Sequence, residues 1–194
     1  RSSPGSASAV RNSTGKACFM LDESAKGLLL NVTGNGKGKS TSAFGTVIRA
    51  LGWGWNVLLL QFVKGTMETG EKRFFDSLHA PNLEFAQLGA GASWEPGDHA
   101  ALARQGWTRA EKELLSPRWQ LVVFDELNIA LHYNWLPLDE VLGALRSRRQ
   151  DLNVMITGRH APRELLEMSD LVSEIKAVRH PYELGIPARK GIDF

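Results

Sequence analysis

Residues 27–51, GLLLNVTGNGKGKSTSAFGTVIRAL, join an apolar run, a turn rich in glycine and lysine, and an amphipathic stretch with nothing between them. A buried strand that runs into a glycine-rich turn and then a helix is the setting of the phosphate loop, G-x-x-x-x-G-K-[ST]. Gly38, Lys39 and Ser40 supply the second half of that pattern, and Thr33 stands where its first glycine belongs. Glycines let successive backbone N–H groups converge on one point, and a helix N-terminus adds partial positive charge. In such a loop Lys39 neutralises phosphate oxygens, Ser40 Oγ ligates Mg²⁺, and Lys37 adds a second positive charge. A strand–helix turn with incidental lysines is the plain alternative, and the flanking apolar segments argue against it.

The rest of the chain repeats this alternation. Residues 27–33, 56–63, 83–88, 119–126 and 152–158 are short and nearly continuously apolar, as expected of strands buried on both faces. Residues 171–178 alternate and read as a weaker edge strand. Helical patterns fill 39–51, about 69–79, 97–115, 138–148 and 162–168, and Pro137 and Pro162 fall where helices begin. The expectation is an α/β fold: a mostly parallel sheet flanked by helices, the phosphate-loop NTPase (RecA-like) arrangement. Residues 27–194 form one domain. Residues 1–26 read as a disordered leader, with an organelle transit remnant as the alternative, because 1–17 are rich in Ser, Ala and Gly and lack acidic residues.

A phosphate loop implies a carboxylate at the end of another buried strand, and VVFDE at 122–126 provides Asp125 and Glu126. Alternation sends the two to opposite faces, so spacing alone does not choose the magnesium ligand between them. His79, His99, His132, His160 and His180 are scattered and show no metal-ligand spacing, and no Ser/His/Asp or Cys/His set stands out. A net charge of +2 gives no case for nucleic acid. No apolar run approaches the roughly 18 residues of a membrane span. The single cysteine, Cys18, excludes an internal disulfide and fits a reducing, cytoplasmic setting.

Six segments together resemble the phosphate-loop ATP:cob(I)alamin (corrinoid) adenosyltransferases of cobalamin synthesis and salvage. They are TGNGKGKSTSAFG (33–45), QFVKG (61–65), SWE (93–95), VVFDELNIAL (122–131), ITGRHAP (156–162) and GIPARKGIDF (185–194). The resemblance runs from about Gly27 to Phe194, and the family's loop has the same short form, with Thr at the position of Thr33. It implies transfer of the 5′-deoxyadenosyl group of ATP to Co(I) of a reduced corrinoid, with release of triphosphate. It further implies MgATP as co-substrate, a reduced flavoprotein as electron donor and a homodimer.

Carried over residue by residue, Thr33, Gly34, Asn35, Gly36, Lys37, Gly38, Lys39, Ser40 and Thr41 match the nucleotide-binding loop, and Ser40 and Glu126 match the magnesium positions. Arg49 matches a further nucleotide contact. Trp94 matches an aromatic that lies against the corrin and excludes its lower ligand. Two residues earlier, enteric members have phenylalanine where this chain has Ala92. Lys64 and Arg159, at strand ends, are expected polyphosphate or corrin side-chain contacts. Trp53, Trp55, Trp107 and Trp119 are assigned to packing or to a subunit interface. A nucleotide-dependent switch would share the loop and the DE pair without needing Trp94. A small-molecule kinase would need an Arg-rich lid, and RSRRQ (146–150) reads as a solvated connection.

Overall fold

The structure is a computed structural model that describes residues 10–11, 17–18, 26–63, 65, 68–89 and 97–194. Among these, β1 (Val10–Arg11) and β2 (Ala17–Cys18) pair antiparallel within the segment expected to be disordered. The domain itself is a parallel sheet of β3 (Leu29–Thr33), β4 (Val57–Gln61), β5 (Leu83–Gln87), β6 (Leu121–Asp125), β7 (Asn153–Thr157) and β8 (Leu171–Glu174), in the order β5-β4-β6-β7-β3-β8. Every strand therefore ends at the same edge, and the segments that follow them share one crevice.

Alternation along the strands divides the core into two layers. Val57, Leu59, Leu121, Val123 and Met155 face α1 (Lys39–Gly52) and α2 (Gly70–Leu78), where Ala43, Phe44, Val47 and Phe75 meet them. Leu58, Leu60, Val122, Phe124, Val154 and Ile156 face the opposite layer. That layer is α3 (His99–Glu113), α4 (Leu127–His132), α5 (Leu138–Ser147) and α6 (Arg163–Met168). In α3 the buried residues Ala103, Gly106, Trp107 and Ala110 recur at helical spacing, and the Trp107 ring meets Phe124 edge-on at 5.8 Å. Each of these fully buried large side chains contributes roughly 1.5–3 kcal/mol. Trp107 and Trp119 are core residues, whereas Trp53 stays 74% exposed. Every residue of β8 is exposed, which matches its reading as an edge.

Polar side chains interrupt the apolar strands close to their carboxyl ends. Asn31 of β3 is fully buried and exchanges two amide hydrogen bonds with Asn128 of α4, at 3.3 and 3.0 Å. The Asn128 amide also donates to the Gly158 carbonyl at 3.1 Å. This pair ties the strand before the loop to the helix after β6 and to the end of β7. Asn31→Ala strands the Asn128 amide in a dry site, which should lower stability by about 1–3 kcal/mol. Urea unfolding at unchanged denaturant slope reads this directly, and a loss below about 0.5 kcal/mol would mean that the pair is not a tie.

Candidate active site

The turn between β3 and α1 has the geometry of an anion cradle. Gly34 and Gly38 have φ of 98° and 109°, in the left-handed region that glycine enters without strain. A Cβ on Gly34 would lie 2.4 Å from the Ile175 carbonyl oxygen, so the chain after β8 holds the loop closely from one side. Ile175 donates to the Thr33 carbonyl and accepts from Gly36 N–H, both at 2.8 Å. Thr33, in the place of a glycine, accepts from the Ala161 N–H at 3.4 Å, so its hydroxyl fastens the loop to the segment after β7.

The start of α1 differs from those of α2 and α3. Thr69 accepts from Lys72 N–H to cap α2, and Asp98 accepts from Ala101 N–H to cap α3, while α1 begins at Gly38 with no side-chain cap. Its first-turn amides and dipole are thus directed at whatever the loop encloses. Lys39 is only 6% exposed and its ammonium donates to the Gly36 carbonyl at 2.6 Å. Ser40 is half-buried in the first turn, and Asn35 and Thr41 are exposed. Lys37 is ion-paired with Asp193.

Asp125 and Glu126 part company as alternation requires. Asp125 is fully buried; it accepts from Gln61 Nε2 at 2.8 Å and from Thr157 Oγ1 at 2.6 Å. Gln61 in turn accepts from Gln87 Nε2 at 3.1 Å, so one relay crosses the ends of β5, β4, β6 and β7. Asp125, expected as a candidate metal ligand, accepts through both oxygens and so holds strand ends. Thr157 Oγ1 also accepts from the Glu126 N–H at 3.0 Å, and Glu126 sits at φ 62°, partly exposed, at the head of α4. A non-glycine residue held in that conformation is the kind of strain that collects at functional sites.

Arg159 follows β7 and is exposed beside the loop. Arg49, expected as a further nucleotide contact, lies exposed in the last turn of α1, about 15 Å of helix rise from Lys39, and is not brought to the loop. Lys64, Ala92 and Trp94 lie outside the described residues.

Several residues of the crevice did not stand out in the sequence. Gln61, Thr157 and Asn31 leave one signal, a polar residue in an otherwise apolar strand. Three of the scattered histidines join one series of ring contacts. His160 stacks on His132 at 4.3 Å, His132 meets Tyr133 at 5.1 Å, Tyr133 stacks on Trp135 at 5.3 Å, and Trp135 stacks on His99 at 4.9 Å. The series starts beside Lys39 and ends at the first residue of α3. Burial, and then the positive charges of His132, Arg159 and Lys39, hold the His160 imidazole below the usual histidine value. Among the described residues no group of three or more His, Cys, Asp or Glu converges as a metal cage, and no helix is long and apolar enough to cross a membrane.

Comparison with known proteins agrees with this architecture. The family model of the ATP:corrinoid adenosyltransferases BtuR/CobO/CobP matches residues 25–194. The corrinoid adenosyltransferase of Pseudomonas aeruginosa is 43% identical over 172 residues, covering 87% of this chain and 84% of the relative. Corrinoid adenosyltransferase CobA of Salmonella typhimurium is 40% identical over 172 residues, covering 87% and 86%. That of a Sinorhizobium species is 38% identical over 173 residues, covering 87% and 81%.

The proximity of Lys39 to His160 is open to direct measurement. Lys39→Met removes one of the charges that disfavour imidazolium, so the His160 titration should move upward toward the ordinary histidine range. A histidine-detected NMR pH titration reads the shift, and an unmoved midpoint would mean that the two side chains do not sense each other.

Proposed function

The chain belongs to the ATP:corrinoid adenosyltransferase family, and we propose that its phosphate loop grips the triphosphate of ATP as a leaving group. It is an enzyme that uses ATP to adenosylate a corrinoid. In the reaction the Co(I) electron pair forms a bond to the ribose C5′, the C5′–O bond breaks, and its electron pair leaves with the triphosphate. Cobalt is formally oxidised to Co(III) in the process. Co(I) is itself the nucleophile, so no side chain needs to remove a proton. The demands on the protein are alignment of the two reactants and stabilisation of charge on the departing oxygen. The observation that carries this reading is the start of α1, which has no side-chain cap and faces a loop crossed by the buried ammonium of Lys39.

Magnesium fits the residues present. The Ser40 hydroxyl and the Glu126 carboxylate are hard oxygen donors on the loop and after β6, which β7 separates from β3 in the sheet. One carboxylate and one hydroxyl, completed by phosphate oxygens and water, is the usual way of holding Mg²⁺, and it needs no dedicated cage. When bound, the ion supplies charge neutralisation on the triphosphate. Asp125 supports this arrangement from beneath by fixing the strand ends.

On this reading Arg159 meets the polyphosphate or a corrin side chain, and Lys64 does the same from the end of β4. Trp94 and Ala92 are assigned to the corrin by the family resemblance, Trp94 as the ring that meets the macrocycle. The ring series from His160 to His99 supports the reading, because a run of aromatic and imidazole rings offers contact area to a flat macrocycle. A reduced flavoprotein is the proposed electron donor. A second copy is the proposed cover for the exposed Trp53 ring, and the single cysteine supports a cytoplasmic setting.

The deciding experiment is an anaerobic assay with MgATP and chemically reduced cob(I)alamin, following loss of the Co(I) absorbance and identifying the inorganic product. Adenosylcobalamin with intact triphosphate supports the reading, and ADP without a corrinoid product overturns it. Lys39→Ala should cut turnover by at least about 100-fold and move the melting temperature by only a few degrees. A fully active variant excludes Lys39 from the site. Glu126→Gln should retain the fold and raise the magnesium concentration needed for nucleotide binding. Trp94→Ala should leave ATP binding intact and slow adenosylation when the corrinoid starts as Co(II); an unchanged rate from Co(II) removes Trp94 from the mechanism.

A further inference from the structure

The 185–194 segment carried part of the family resemblance, and the mechanism above gives it no task. After β8 the chain touches the loop at Ile175, whose carbonyl accepts from Gly36 N–H, and then makes an excursion. Residues 176–179 and 181–192 are exposed. The chain then comes back to the same loop, where the Asp193 carboxylate pairs with the Lys37 ammonium.

This carboxylate is built into its position. Its second oxygen accepts from Arg189 N–H at 2.7 Å, and its own N–H donates to the Arg189 carbonyl at 2.9 Å. Gly191 N–H closes the turn on the Phe194 carbonyl at 2.9 Å. Asp193 is only 10% exposed at its side chain, whereas Lys37 is 46% exposed. The acid is therefore the fixed partner and the lysine the movable one, a point charge on a flexible stem.

The two lysines of the loop are thus unequal. Lys39 is buried against the loop backbone, and Lys37 is shared with a carboxylate that competes with any anion. We propose that Asp193 is a positioning residue for the triphosphate: it holds Lys37 when the loop is empty, yields it to the arriving triphosphate and reclaims it as the product leaves. This rests on the reading of the loop as a triphosphate site. With its lysine 46% exposed, the pair is screened by solvent on that side and is weak enough to exchange for a polyanion. Its competition matters because binding triphosphate equally well before and after reaction does not accelerate the chemical step, and it slows release of the product. Asp193 lowers the affinity for the free product through Lys37 without touching the reacting atoms.

The test is calorimetric titration of the full chain with magnesium tripolyphosphate, followed by steady-state kinetics. Asp193→Asn keeps the shape and the bond to Arg189 N–H but removes the charge. It should tighten tripolyphosphate binding by about two- to fivefold and lower both KM for ATP and kcat, as release of the product becomes limiting. Asp193→Glu should return both toward the native values. In a Lys37→Met background, Asp193→Asn should have no further effect on tripolyphosphate affinity. Weaker or unchanged binding by Asp193→Asn overturns the proposal, and so does equal tightening with or without Lys37. Failure of the native chain to bind tripolyphosphate at all would instead overturn the phosphate-loop reading on which the proposal stands.

Discussion

A carboxylate without exposed surface must be met by donors on every side it presents, and the crevice is organised around how Asp125 meets that need. Its donors come from strands on either side of β6: Gln61 on β4 and Thr157 on β7. Gln87 extends the relay to β5. Four strand ends are thereby held level, and the segments that leave them start from fixed points. The same Thr157 hydroxyl that donates to Asp125 accepts from the Glu126 N–H, which helps hold Glu126 in its left-handed conformation at the head of α4. The two adjacent acids are parts of one device. The buried acid determines where the exposed one stands.

Much of the fold was legible because its signals are local. Strands buried on both faces must be apolar throughout, and β4, β6 and β7 announce themselves in that way. The edge strand β8 carried the weaker, alternating pattern that partial burial produces. Helix α4 escaped because it is six residues long and its apolar positions follow directly on those of β6. Its amphipathic period has no room to separate from the strand's. The loop was legible because glycine requirements are written in consecutive residues. The partners of Asp125 and Asn31 were not, since they are 32, 64 and 97 residues away in sequence and only the sheet order brings them together.

The same distinction explains the histidines and Arg49. His132 and His160 looked isolated because nothing in the chain between them signals that the end of α4 meets the segment after β7. Arg49 is assigned to the nucleotide by its place in a motif, and helix rise sets it at the end of α1 opposite the loop. Motif membership states which residues recur together. It does not state which of them share one end of a helix.

Lys37 and Lys39 stand two residues apart, which suggests equivalent charges, and the fold makes them different instruments. A helix start at Lys39 turns that side chain inward, where burial and the Gly36 carbonyl leave it little freedom. Lys37 belongs to the turn and points outward, within reach of a chain segment that returns from β8. A loop with two fixed ammonium groups would hold triphosphate before and after the reaction alike. One fixed and one exchangeable charge allow the same loop to grip a leaving group and then let it go, which is the requirement that alkyl transfer from ATP adds to ordinary phosphate binding.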